Sequence, residues 1–284
     1  MRCFSDSLRF APSCLSCLSC LKTLVFVFLC AVAVAGEKAE QAPAIDLKKG
    51  LVAHYPFDKD ASDASGNGHD AINKGAVPAA EGKIGGAFAF DGVKAHVVIP
   101  AKATQGLTWF TIALWCKTTQ SVAGSRYSFW ANPSLLSVAT AGWGSHDFGL
   151  MIEKGNAAYF HGLRDDTSDM SFFSTTPVAD GQWHHVAIVD EGPRIFLYVD
   201  GQIVSGEGTW HRGEGQVSLG VVRQTASGAG LCGSEVFLGA ADEPPNPRFF
   251  FRGLLDDVKI WSRALTAEEI AALAAYPGGP ASRQ

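Results

Sequence analysis

From Leu51 onward the chain never holds an apolar pattern for long. Short apolar runs are cut by Gly, Asp, Asn and Pro, and most of the 31 glycines fall at the cuts. Runs of that length suit strands, whereas a packed helix needs a longer uninterrupted pattern, so the punctuation predicts an all-β sandwich or barrel. Phe110-Thr111-Ile112-Ala113-Leu114-Trp115-Cys116-Lys117 reads as one strand with Phe110, Ile112, Leu114 and Cys116 on a common face. His185 to Val189 and Arg194 to Val199 read as two more. Asp200-Gly201 then leads into Gln202-Ile203-Val204, and Asp-Gly between β-branched runs predicts a tight hairpin with positive φ at both turn residues. Phe249-Phe250-Phe251 and Leu254 to Trp261 are expected as a late strand-pair region. One helix is expected: Thr266 and Glu269 form a capping box, Ile270, Leu273 and Ala274 follow at helical spacing, and Gly278-Gly279-Pro280 ends it.

The first residues belong to another kind of segment. Arg2, Arg9 and Lys22 precede an apolar run from Leu24 to Ala35, which closes on Ala33-Val34-Ala35 before Gly36 and the charged Glu37-Lys38. That run is short for a bilayer core of roughly 30 Å and fits a signal peptide cleaved after Ala35. Residues 1–35 are therefore expected to be an export signal, with 36–46 a linker, 47–276 the folded domain and 277–284 a tail. Export implies the cell envelope, the periplasm or the medium. Five of the seven cysteines (3, 14, 17, 20 and 30) leave with the signal, so the C-x-x-C-x-x-C spacing at 14–20 holds no lasting metal. Cys116 and Cys232 remain, and their pairing is left open.

Charge narrows the partners. Without residues 1–35, 20 Lys and Arg stand against 27 Asp and Glu. A mildly acidic surface without basic runs argues against nucleic acid and anionic membrane. No later stretch is long and apolar enough for a membrane-spanning helix.

Several blocks, taken in order, resemble a known family. They are Gly50-Leu51-Val52-Ala53-His54-Tyr55-Pro56-Phe57-Asp58, Asp63-Ala64-Ser65-Gly66-Asn67-Gly68-His69-Asp70, Gly86-Ala87-Phe88-Ala89-Phe90-Asp91-Gly92 and His96-Val97-Val98-Ile99-Pro100. Trp183-His184-His185-Val186-Ala187, Leu197-Tyr198-Val199-Asp200-Gly201 and Leu254-Leu255-Asp256-Asp257-Val258-Lys259-Ile260-Trp261 follow. Together they resemble the laminin-G-like jelly-roll domains of secreted bacterial proteins, within the concanavalin A-like class, over about Leu47 to Tyr276. The resemblance implies a two-sheet antiparallel jelly-roll sandwich with one short C-terminal helix and with the chain ends side by side. It also implies a binding or adhesion role. The stretch 205–235 is longer than the family's usual link, with Trp210-His211-Arg212 and an extra hairpin expected at Gln216 to Arg223.

Two sites are candidates. Asp63, Asn67 and Asp70 lie on a Gly-punctuated turn, and Asp256 opens an apolar strand where a buried carboxylate needs a partner. Calcium takes oxygens of this kind, so these four are a candidate structural calcium site, in an area where family members often hold one. The alternative is that Asp63 and Asn67 are turn residues and Asp256 accepts from backbone N–H groups. Tyr127, Trp130, Trp143 and Trp210 are candidates for a sugar-stacking platform, with Arg126, His146 and His211 beside them to bond hydroxyls. The alternative is that these loop aromatics cover the sandwich edges. Trp115, Trp183 and Trp261 are expected in the core. His184 and His185, adjacent on a strand, point to opposite faces and cannot share one ion.

Catalysis lacks a constellation. No alternating carboxylates share a strand face as an acid–nucleophile pair would, and Gly142-Trp143-Gly144-Ser145-His146 lacks the spacing of a nucleophile elbow. The expectation is an exported, non-catalytic module that binds a glycan or polysaccharide. The alternatives are an adhesion module for a cell-surface protein and a divergent jelly-roll glycosidase or lyase.

Overall fold

The computed structural model describes residues 44–122, 132–138, 148–161, 170–191, 194–210, 216–217, 221–222, 234–241 and 247–275. Eighteen strands and one α-helix follow along these residues. The first five are β1 (Leu51–Tyr55), β2 (Ile72–Lys74), β3 (Val77–Ala79), β4 (Ala87–Asp91) and β5 (His96–Ile99). Then come β6 (Phe110–Lys117), β7 (Ser134–Val138), β8 (Phe148–Glu153), β9 (Asn156–His161) and β10 (Met170–Pro177). Next are β11 (Trp183–Asp190), β12 (Arg194–Val199), β13 (Gln202–Ile203) and β14 (Gly206–Trp210). The short β15 (Gln216–Val217), β16 (Val221–Val222) and β17 (Val236–Leu238) precede the long β18 (Arg252–Trp261) and the helix α1 (Ala267–Ala274).

These strands make the two expected antiparallel sheets. The first runs β13-β12-β11-β6-β18-β4-β3, with β1 also paired to β18 and β16 to β12. The second runs β15-β14-β10-β9-β8-β7-β17-β5-β2. Phe110, Ile112, Leu114 and Cys116 all enter the core between the sheets, as the alternation of β6 requires. The residues between them are also buried, for a different reason. Ala113 packs in a second apolar layer with Trp261, Tyr198 and Ala187, under Leu265, Ile270 and Leu273 of the C-terminal segment. Both faces of the first sheet are therefore covered where β6, β11, β12 and β18 meet the C-terminal segment.

The helix forms as its capping box predicts. The Thr266 hydroxyl accepts from Glu269 N–H, and Glu269 accepts from Thr266 N–H at 2.9 Å. Arg263 grips Glu269 through two bonds of 2.7 Å and also donates to the Lys49 carbonyl. With the Trp261 indole on the Leu47 carbonyl at 2.8 Å, the last strand and the start of the domain are tied together. The Asp200-Gly201 hairpin has φ of 51° and 79°, the positive pair its turn type needs.

Three sequence expectations are corrected. Gln216 to Arg223 is not one hairpin: β15 pairs β14 in the second sheet, and β16 pairs β12 in the first. Phe249 to Phe251 form no strand, because Phe249 sits at φ 52° and breaks extension. Trp183 is only half-buried, whereas Trp115 and Trp261 are buried as expected. Cys116 is a free buried thiol; Cys232 lies outside the described residues.

Candidate functional site

The acidic turn after β1 is a closed hydrogen-bond network. Asp63 Oδ1 accepts from the N–H groups of His54 and Ser65, and Oδ2 accepts from Ser65 Oγ and His69 N–H, all within 2.8–3.0 Å. Asp70 accepts from Asp63 N–H at 2.9 Å. Asn67 spends its amide hydrogens on the carbonyls of Leu51 and Val52. Burial works against the Asp63 charge, but these donors hold its carboxyl below the usual range. A carboxylate with four donors already in place has no lone pairs left for a cation, so Asp63 does not fit calcium.

Asp256 is engaged elsewhere. It lies on β18 opposite Trp115 of β6 and is fully buried. Its Oδ2 accepts from Ile84 N–H at 2.8 Å, while its Oδ1 is buried without a hydrogen-bond partner. Burial pushes its carboxyl up to about 7; the Ile84 and Lys83 N–H groups oppose this, and Asp257 and Asp58 add to it. The loop 82–86 is thus clasped from two sides, since Asp58 Oδ1 accepts from Gly86 N–H at 2.6 Å. Gly82 is obligatory here: a Cβ would lie 2.0 Å from the Gly86 carbonyl oxygen and 2.8 Å from Asp256 Oδ2. Lys83 rests its ammonium 4.5 Å above the Trp115 ring.

Backbone strain gathers at the same place. Phe57 and Asp257, next to the two clasping carboxylates, both take the left-handed region, with φ of 56° and 51°. Asp257 itself is bonded to His54 Nε2 at 2.7 Å and to Lys259. Burial alone would raise its carboxyl, but those two partners keep it below the usual range. The partners shown for Asp256 are N–H donors, and its orphaned Oδ1 is the oxygen that a hard cation would need. Among the described residues, no three His, Cys, Asp or Glu side chains converge as a metal-holding group, so a cation at Asp256 would take its other oxygens from carbonyls and water.

The two histidines of β11 face opposite ways, as expected. His185 is buried edge-on to Trp115, and burial pushes its imidazole down to about 4. His184 lies between Asp200 at 2.8 Å and Asp180 at 3.0 Å. Desolvation opposes its charge, but hydrogen bonds to Asp200 and Asp180 prevail and raise it.

Of the sugar-platform candidates, Arg126, Tyr127, Trp130, Trp143, His146 and His211 lie outside the described residues. Trp210 is placed only by its backbone, at the end of β14 opposite Met170. Sequence reading overlooked other solvent-facing rings. Trp109, just before β6, is 54% exposed. On the outer face of the second sheet, His96 and Phe237 lie nearly parallel with centroids 5.9 Å apart, and Phe250 tilts against His96. A signal existed: alternation in Val236-Phe237-Leu238 and His96-Val97-Val98-Ile99 turns Phe237 and His96 outward.

Comparisons with known proteins agree with this architecture. Among curated proteins, none matches the chain. Of solved structures, domain 4 of AbnA, a GH43 extracellular arabinanase from Geobacillus stearothermophilus, in complex with arabinotriose, superposes with a TM-score of 0.56 at 20% identity. That match covers 79% of this chain and 98% of the other. The binding domain of Paraclostridial Mosquitocidal Protein 1 gives 0.55 at 14% identity, over 81% of this chain and 52% of that one. The binding domain of botulinum neurotoxin DC, in complex with rat synaptotagmin II, gives 0.56 at 11%, again over 81% and 52%. This chain therefore spans about half of those toxin domains, and at such identities the likeness is one of fold. The family model described as "Concanavalin A-like lectin/glucanases superfamily" (Laminin_G_3) matches residues 91–271, from the end of β4 into α1, which takes in most of both sheets. By its sequence over that span and by its paired antiparallel sheets, the chain belongs to the concanavalin A-like lectin/glucanases superfamily.

Proposed function

We propose that this protein is an exported, non-catalytic module that binds a glycan. The observation that carries the reading is the arabinanase domain, a neighbour matched over nearly its whole length and bound to arabinotriose. The non-catalytic part is supported by how the carboxylates of the turn after β1 and around the loop 82–86 are used. Asp58, Asp63 and Asp256 accept backbone N–H groups, and Asp257 is bonded to His54 and Lys259, so none of them is poised as an acid–base pair. Export rests on the N-terminal pattern alone.

A structural calcium is part of the proposal, held by Asp256, whose buried partnerless Oδ1 supports it. Its role would be to neutralise a carboxylate in an apolar surrounding and to fasten the loop 82–86 to β18.

The experiment is affinity electrophoresis of the full chain through gels containing arabinan, xylan or galactan. Retardation by one of them is the expected result; equal mobility in all, against a gel without polysaccharide, overturns the reading. A second reading, a protein-binding module, is favoured by the neurotoxin domain seen with synaptotagmin II. It takes over if the gels show no retardation.

A further inference from the structure

At the β2 edge of the second sheet, register decides which side chains share the outer face. Ile72 opposes Val98 and Lys74 opposes His96, while Val98 in turn opposes Phe237. Directly opposed residues of an antiparallel pair point the same way. Val97, Ile99, Val236 and Leu238 take the inner face, in the core. Ile72, Lys74, His96 and Phe237 therefore face outward together. Phe250 joins them, its ring 6.1 Å from that of His96. Phe249 precedes it at 38% exposure, and Ile72 is 52% exposed.

Two observations set this surface apart from chance exposure. Phe249 is held at φ 52°, a left-handed conformation that strains a bulky residue. Its carbonyl accepts from Ser134 N–H, and the adjacent Ala241–Arg248 bridge fixes the turn, so the fold maintains an outward ring at the cost of strain. Two residues on, Phe251 is fully buried. Secondly, His96 Nδ1 lies 2.8 Å from the Lys94 carbonyl. A carbonyl only accepts, so Nδ1 carries the proton of the neutral ring and Nε2 is left as an acceptor. A purely apolar partner would leave that acceptor and the Lys74 ammonium unmatched. A sugar matches all three: its C–H face packs on aromatic rings, and its hydroxyls both donate and accept.

We propose that Lys74, His96, Phe237, Phe249 and Phe250 form a glycan subsite on the outer face of the second sheet. An oligosaccharide would lay a sugar ring on the phenylalanines, donate one hydroxyl to His96 Nε2 and accept from Lys74. This rests on the glycan reading above.

The test is titration calorimetry of the full chain with whichever of arabinan, xylan or galactan retards it, using Phe249→Gly and His96→Phe. Phe249→Gly removes the ring and relieves the backbone, so its melting temperature should hold or rise while affinity falls at least about tenfold. His96→Phe keeps a ring but loses the acceptor and should also weaken binding. If wild type binds and both variants bind equally well, the subsite is overturned while the glycan reading stands. If no polysaccharide binds wild type, both fall together.

Discussion

The Asp256 carboxylate accepts a hydrogen bond from Ile84 N–H at 2.8 Å although 172 residues separate them in the chain. The bond fastens the long last strand to the loop 82–86, and Asp58 fastens the same loop from the side of β1. Only one of the two Asp256 oxygens is satisfied, and a half-satisfied buried carboxylate is costly unless it is protonated or metal-bound.

Calcium should therefore raise the melting temperature of the wild type, and a chelator should reverse it, because the ion binds the native state only. Asp256→Asn should abolish the calcium response. In chelator at pH 8 it should be at least as stable as wild type, since it buries no charge. Scanning calorimetry with and without calcium reads both; a calcium shift that survives in Asp256→Asn removes the ion from this site.

Asp63→Ala should behave differently. It deletes the acceptor of four hydrogen bonds that shape the turn after β1, which costs about 3 kcal/mol for bonds to a charged group. Urea unfolding should show that loss equally in calcium and in chelator. A loss confined to calcium would mean that Asp63 is a ligand after all.

The histidines of β11 should drive stability in opposite directions with pH. His185 has a folded value pushed down to about 4, so the unfolded chain binds its proton more readily. Its contribution is intact above the ordinary value near 6.5 and is lost as pH falls from there towards 4, by on the order of 3 kcal/mol. His185→Phe should flatten that acid limb. His184 has a raised value, so its pairing with Asp180 and Asp200 is fully present below about 6.5 and fades as pH rises through its folded value. Its effect is smaller, because both carboxylates are half exposed and screened. Denaturant midpoints between pH 4 and 8 for wild type, His184→Gln and His185→Phe separate the two.

Gly82→Ala should loosen the clasp. The added methyl would meet the Gly86 carbonyl at 2.0 Å, a backbone atom that cannot move without dragging the Asp58 and Asp256 bonds. A loss of about 1–3 kcal/mol is expected from such overpacking. It should come with faster hydrogen exchange at the Ile84 and Gly86 amides; unchanged exchange there would show that the loop is not held by these carboxylates.

Much of the fold is written locally. The alternation of Phe110 to Lys117, the Asp200-Gly201 turn and the Thr266–Glu269 capping box each depend on neighbours within a few residues, and each formed as their chemistry dictates. The ordered sequence blocks likewise carried the superfamily and the pairing of first and last strands. What the sequence did not carry was the grouping of distant residues. Asp63 and Asp256 look alike as acidic residues near apolar runs, yet one is saturated by its own turn and the other faces a loop it meets only through the β1–β18–β4 pairing. Likewise, three successive phenylalanines read as one strand, but a positive φ at Phe249 sends Phe251 inward and leaves Phe250 against His96, 154 positions away along the chain. The sequence by itself determined the strands, the turns and the class of fold, because backbone preferences and alternation act over short range. Only the tertiary structure decided which carboxylate stays unsatisfied and which rings face water, because burial and partner supply come from residues that sheet pairing brings together.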